Sequence, residues 1–187
     1  MEYVEPIRDK KQLENMKQYF KERNPRDYLL FVLGINSGLR ISDLLALTVE
    51  DVKDRNRIAI REQKTGKIKD FPLSDTCKNA VCEYLEVTGL TSGVLFPSRK
   101  TNGSKGSGAI SRQQAYAAIN GAARKVGITD RVGTHTLRKT FGYWAYQAGV
   151  DVTRIQKLLN HSASSVTLAY IGITKEELDE VYINLNL

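Results

Sequence analysis

The chain is poor in the residues whose chemistry is easiest to recognise: it has two cysteines, two histidines, one tryptophan and four prolines in 187 residues. Cys77 and Cys82 lie five positions apart in a helix-like stretch, so they diverge around its circumference. That spacing argues against a disulfide or a shared metal, and both read as small apolar residues. His135 and His161 are 26 residues apart, and no Asp, Glu or Cys cluster with metal-ligand spacing accompanies them. The HExxH, Walker and GxSxG motifs are absent, which leaves an ordinary hydrolase or nucleotide-dependent enzyme without support. No apolar run approaches the ~20 residues of a membrane span. The first eight residues carry no apolar signal core, so the expected location is cytoplasmic.

What is present is a composition ordinary for a globular protein, 41% hydrophobic and 26% charged, in a length that predicts one domain over residues 1–187. The net charge is +7, and it is unevenly placed. Residues 99–139 hold nine Lys/Arg and one Asp, a local +8, whereas residues 174–187 carry −3. A concentrated basic segment is the electrostatic footprint expected of a polyanion site, although a basic surface alone would look the same.

Periodicity and punctuation predict a mainly helical chain. Asp9 opens a helix with Leu13, Met16 and Phe20 on one face. Pro25 begins a second helix through Ile35, and Gly38 stops it. A short third helix covers residues 41–47. Residues 57–63 and 68–73 alternate apolar and polar side chains around Lys64-Thr65-Gly66-Lys67, which predicts a β-hairpin. Ser74 or Asp75 caps a helix that Gly89 closes. Residues 94–96 suggest a third short strand, and residues 98–110 a mobile basic loop. Ser111 and Gln114 form a capping box for a helix to about Val126. Further helices are expected over 136–148, 151–160 and 164–171. Thr174 and Glu177 suggest a second capping box for a final helix carrying Leu178, Val181, Tyr182 and Leu185. The fold class is therefore α+β, mainly α-helical, with one small antiparallel sheet.

Four short segments could carry chemistry, and each has an ordinary explanation when taken alone. In Gly38-Leu39-Arg40-Ile41-Ser42-Asp43, Arg40 and Asp43 are i and i+3 on a helix and can touch, which also describes a surface ion pair worth ~0–1 kcal/mol. Lys64 on the hairpin turn could reach a groove and donate a proton, or be a solvated turn residue. His135-Thr136-Leu137-Arg138 places an imidazole and a guanidinium at a helix start, where anions are already favoured; capping by Thr134 or Thr136 is the alternative. Leu158-Leu159-Asn160-His161 is followed nine residues later by Tyr170, one of nine tyrosines.

In combination these segments resemble the catalytic domain of the tyrosine recombinase (phage integrase) family. That signature has an Arg in a Gly-Leu-Arg-x-x-Glu/Asp helix, a hairpin Lys, a His-x-x-Arg helix, a Leu-Gly-His-like turn and a Tyr about nine residues on. The match runs from residue 38 to 170. It departs at Asn160, where the family often has Gly, but Asn also adopts the left-handed conformation. The resemblance implies Tyr170 as nucleophile, Arg40 and Arg138 as phosphate clamps, and His161 as a further hydrogen-bond donor. It implies His135 as general base or acid, Lys64 as general acid for the 5′ oxygen, and Asp43 as an orienter of Arg40 or His135. It further implies double-stranded DNA as partner, a 3′-phosphotyrosyl intermediate, no metal and no small-molecule cofactor, and self-association on DNA in a tetrameric synapse. The last helix would pack on a neighbouring protomer, although its apolar stripe equally suits packing in cis. Relatives usually carry an N-terminal core-binding domain, which this sequence is expected to lack. A type IB topoisomerase-like enzyme and a nonenzymatic DNA-binding module are the competing readings.

Overall fold

The computed structural model describes residues 4–98, 108–173 and 175–185. Its elements are α1 (Lys10–Arg23), α2 (Pro25–Ser37), α3 (Ile41–Leu45), α4 (Val49–Val52), β1 (Arg57–Arg61), β2 (Ile68–Pro72), α5 (Asp75–Thr88), α6 (Arg112–Lys125), α7 (Thr134–Gln147), α8 (Val152–Leu158), α9 (Ser164–Ile171) and α10 (Lys175–Leu185). The mainly helical α+β class is as the sequence predicts, with β1 and β2 forming a two-stranded antiparallel sheet.

α2 is the central helix. Leu29, Leu30, Phe31, Val32 and Leu33 are all buried, so it is apolar around its circumference rather than along one stripe. It packs against α1, α5 and α7. Each such side chain removed from water contributes roughly 1.5–3 kcal/mol before entropy is counted. The Asn24 side chain caps α2 by accepting from the N–H groups of Arg26 and Asp27, with Pro25 in the first turn. Gly34 brings α7 against α2, since a Cβ there would lie 2.4 Å from Leu137 Cδ1. Gly142 similarly brings α9 against α7: a Cβ there would lie 2.7 Å from Ile171 Cγ2. These two close approaches fix the depth at which α7 and α9 meet the rest of the core.

Most cap predictions hold. Asp9, Ser74, Ser111 and Asp151 each accept a backbone N–H at a helix start, and Gly38 and Gly89 end helices in the left-handed region, as Gly172, which the sequence did not single out, also does. Asn160 has φ 50°, the conformation expected of the residue that replaces Gly before His161.

Other boundaries move. The helix predicted over 41–47 ends at Leu45, and a separate α4, capped by Thr48, follows it. α7 begins at Thr134 rather than Thr136, with the Gly133 N–H donating to Thr136 Oγ1 at 3.0 Å. The third strand does not form; Val94 and Pro97 make only isolated bridges, to Thr48 and Ala109, because nothing extends the pairing beyond one residue. The predicted basic loop falls largely on residues 99–107, outside the described residues, as does Thr174 of the last capping box.

The hairpin's phase is the informative surprise. Ile58 packs inward and pairs with Phe71, so the inward position two residues before Phe71 falls on Lys69, while Ile68 is 69% exposed.

Gly38 should be the most sensitive glycine. Its φ is +60°, and a Cβ there would meet Phe141 Cδ1 at 2.5 Å, whereas Gly66, at φ +66°, has open space around it. Gly38→Ala is expected to lose about 2–4 kcal/mol in urea denaturation, from backbone strain plus overpacking, and Gly66→Ala only about 1–2. Equal losses would show that the Phe141 contact is not felt.

Candidate functional site

Arg138 is the centre of the site. It projects from α7 and is 2% exposed, yet among the described residues no carboxylate forms an ion pair with it. Backbone carbonyls hold it instead: Nη1 donates to Gly38 O at 2.6 Å and Nη2 donates to Leu159 O. The first carbonyl ends α2, and the second ends α8. The guanidinium therefore ties three helices together while keeping its charge unneutralised. Burial lowers its pKa from the ordinary arginine value, but a guanidinium stays protonated.

Arg40 leads into α3 from an extended conformation, and its Nη1 lies 2.9 Å from Glu62 Oε2. The Arg40–Asp43 pair that helical spacing allows is thus replaced by a pair with a residue 22 positions away. Asp43 is buried, and its Oδ1 accepts the Gln63 N–H at 2.8 Å. The structure therefore gives Asp43 a contact with the hairpin, in place of the expected one with Arg40 or His135.

Tyr170 comes from α9. Its ring meets His161 edge-on, with centroids 4.8 Å apart, and Lys139 Nζ sits 5.3 Å from the ring centroid. Its hydroxyl is buried. Burial raises the phenol pKa, against the pull of the Arg138 and Arg40 charges, so the hydroxyl keeps its proton. His161 Nδ1 lies 3.1 Å from Thr167 Oγ1, three residues before the tyrosine on the same helix. Burial, followed by the Arg138 and Arg40 charges, depresses the His161 pKa to about 4, leaving a neutral imidazole at neutral pH.

His135, in the first turn of α7, is also depressed, first by burial and then by Arg112, Arg138, Lys139 and Lys64. A neutral imidazole there can accept a proton. Lys64 is exposed at the hairpin tip, and its charge is one of those that lower the His135 pKa. Arg40, Arg138, His161 and Tyr170 thus converge, with His135 and Lys64 at the margin.

Two further residues belong to this cluster and were missed in the sequence. Glu62 is 1% exposed and faces Arg40. Lys69 is 8% exposed, donates to Ser37 O at 3.0 Å and to Gly38 O at 3.4 Å, and thereby shares an acceptor with Arg138. Burial, then the Arg138 charge, pulls the Lys69 pKa down to about 8. The signal that could have found Lys69 is the hairpin phase counted back from Phe71. For Glu62 the local sequence gives none, since its partner is distant. The basic segment is also less of a surface than charge counting implies, since Arg138 and Lys139 are buried.

A phage integrase family model matches residues 8–177. The chain is 41% identical over 182 residues to a probable integrase/recombinase, YoeC, of Bacillus subtilis, covering 97% of each. The chain belongs to the phage integrase family. It is also 31% identical over 162 residues to the tyrosine recombinase XerD of Corynebacterium glutamicum, covering 84% of this chain and 51% of the relative. It therefore spans nearly the whole of one curated relative and about half the length of the other. In fold it is similar to the crystal structure of XerA recombinase, with a TM-score of 0.80 at 20% identity, covering all of this chain and 66% of that one. It is similar as well to XerH recombinase bound to palindromic difH substrate in a post-cleavage complex, with a TM-score of 0.75 at 20% identity, covering 97% and 53%. The fold is that of the tyrosine recombinases.

The half-buried, neutral histidines give the site a pH signature. The folded pKa of His161, about 4, lies below its ordinary value of 6.5. Between those values the unfolded chain takes up a proton that folded His161 refuses, so this contribution to stability is complete above pH 6.5 and lost as pH falls toward 4. His135 acts in the same direction. The thermal midpoint should fall across this window, and His161→Asn should flatten part of the fall. An unchanged slope in the variant would mean that His161 is not held neutral.

Proposed function

We propose that the chain is a site-specific DNA recombinase of the integrase type, which cleaves and rejoins double-stranded DNA through a 3′-phosphotyrosyl bond to Tyr170. The observation that carries this reading is a buried tyrosine hydroxyl beside a guanidinium that has no carboxylate partner among the described residues. A buried cation held only by carbonyls is preorganised for an anion that is not part of the protein.

In the proposed step the Tyr170 oxygen attacks a phosphodiester phosphorus. The bond to the 5′ oxygen breaks, and the phosphate remains joined to tyrosine at the 3′ end. The raised pKa of the phenol means that a base must remove its proton, and neutral His135 is suited to that role. Lys64 at the hairpin tip gives a proton to the departing 5′ oxygen. Arg40 and Arg138 bind the nonbridging oxygens, whose charge grows in the transition state, and His161 adds a hydrogen bond. Rejoining reverses each transfer, so the covalent link conserves the bond and no nucleotide is consumed. These side chains supply the positive charge that the reaction needs, without a metal or a small-molecule cofactor.

On DNA the chain would self-associate. α10 carries Tyr182, Ile183 and Leu185, 84%, 73% and 59% exposed, an apolar surface that a neighbouring protomer can cover. Among the described residues no helix is long and apolar enough to cross a membrane. A cytoplasmic location, where DNA is accessible, fits the proposed activity.

The test is covalent capture. A nicked duplex library with a randomised site is incubated with the protein, and adducts are resolved on a denaturing gel. The wild type should form an adduct that Tyr170→Phe does not, and chelator should leave the yield unchanged. Arg40→Ala and Arg138→Ala should still bind DNA but lose cleavage by roughly 10²–10³-fold, the usual cost of one oriented charge-stabilising donor. No adduct with wild type would sink the activity; an equal adduct with Tyr170→Phe would sink the nucleophile.

A further inference from the structure

The carboxylate of Glu62 lies within a cluster of cations that is itself proposed to bind an anion. Its side chain is fully buried at the end of β1. Oε2 meets Arg40 Nη1 at 2.9 Å and accepts the Thr65 hydroxyl at 2.6 Å. Oε1 is buried without a hydrogen-bond partner of normal geometry, and the Asn160 side chain lies near enough to favour the charged form. Burial pushes the Glu62 pKa up, but Thr65, Asn160 and Arg40 together more than offset it, so the group is ionised and lies below the ordinary glutamate value.

The backbone around it is equally constrained. The Glu62 N–H donates to Lys67 O at 2.9 Å, and the Gly66 N–H donates to Glu62 O at 2.8 Å. Lys64 stands between two anchored neighbours: the Gln63 N–H is held by Asp43 at 2.8 Å, and the Thr65 hydroxyl by Glu62 at 2.6 Å. One carboxylate therefore touches the arginine on one side of the site and the residue adjoining the tip lysine on the other. A merely neutralising carboxylate would not need that double reach.

We propose that Glu62 is a positioning residue that aligns two groups at once, orienting the Arg40 guanidinium toward the phosphate and, through Thr65, holding the hairpin tip so that Lys64 reaches the leaving oxygen. Glu62 touches neither the phosphate nor the leaving group. It leaves the remaining Arg40 nitrogens available to the DNA. This role rests on the cleavage chemistry proposed above.

The test is single-turnover cleavage by wild type, Glu62→Gln, Glu62→Ala and Thr65→Val, on the site captured by the wild-type protein. Three scissile groups are compared: a natural phosphodiester, an uncharged methylphosphonate and a 5′-bridging phosphorothiolate, whose sulfur leaves without a proton. On the phosphodiester, Glu62→Ala should lose about 10- to 100-fold, the scale of a misaligned reacting group, and Glu62→Gln should lose less. Part of that loss should disappear on the methylphosphonate, which needs less of Arg40, and part on the phosphorothiolate, which does not need Lys64. Thr65→Val should recover only on the phosphorothiolate. Full activity of both Glu62 variants on the phosphodiester overturns the proposal, and so does an equal loss on all three groups, which marks general disruption. Because Glu62→Gln keeps the side chain's shape, it remains informative if Glu62→Ala does not fold. Wild type without cleavage would instead refute the proposed reaction itself.

Discussion

A guanidinium taken out of water must find its hydrogen bonds inside the protein, and that requirement organises this molecule. Arg138 has two backbone carbonyls, those of Gly38 and Leu159, as its acceptors. Both carbonyls are available because they sit where helices end and have no intrahelical partner. Gly38 must be left-handed to present its carbonyl, and the turn after α8 must reverse at Asn160 to present that of Leu159. The same reversal sets His161 beside α9, and the absent side chain at Gly142 lets α9 lie close to α7. Helix ends, a left-handed asparagine and a close helix contact are thus consequences of seating one charge.

The remaining charges follow from that seat. Lys69 shares the Gly38 carbonyl with Arg138 and is depressed toward neutrality by the cost of burial and by its cationic neighbours. Glu62 and Asp43 are the buried carboxylates in this cluster, and both are committed to the hairpin or to Arg40. Burial and the same field keep the histidines neutral, whereas the tyrosine keeps its proton because burial outweighs the pull of that field. Without DNA the site holds excess positive charge and a protonated tyrosine. A phosphate entering it would relieve the repulsion among the cations and raise the affinity of both imidazoles for a proton.

Much of the fold was legible because it is written in short-range rules. The caps at Asp9, Ser74, Ser111 and Asp151 depend on hydrogen bonds spanning two or three residues, and the stops at Gly38 and Gly89 on one backbone dihedral. The third strand does not form because an apolar triplet specifies an extended chain but not a partner to pair with. In the site, six of the seven residues of the family signature are readable from order and spacing, and the structure brings four of them into one cluster with two at its edge. Asp43 was readable as a buried member but not in its contact, since the hairpin took it from Arg40.

The sequence by itself determined the helical punctuation, the hairpin, the left-handed turn before His161 and the order of the motif residues. Each depends on local dihedral preference or on a period of two or 3.6 residues. Only the tertiary structure decided that Arg40 pairs with Glu62, that Lys69 turns inward, and that the histidines are neutral while Tyr170 keeps its proton. Those outcomes depend on desolvation and on charge acting through space, and neither follows from spacing along the chain.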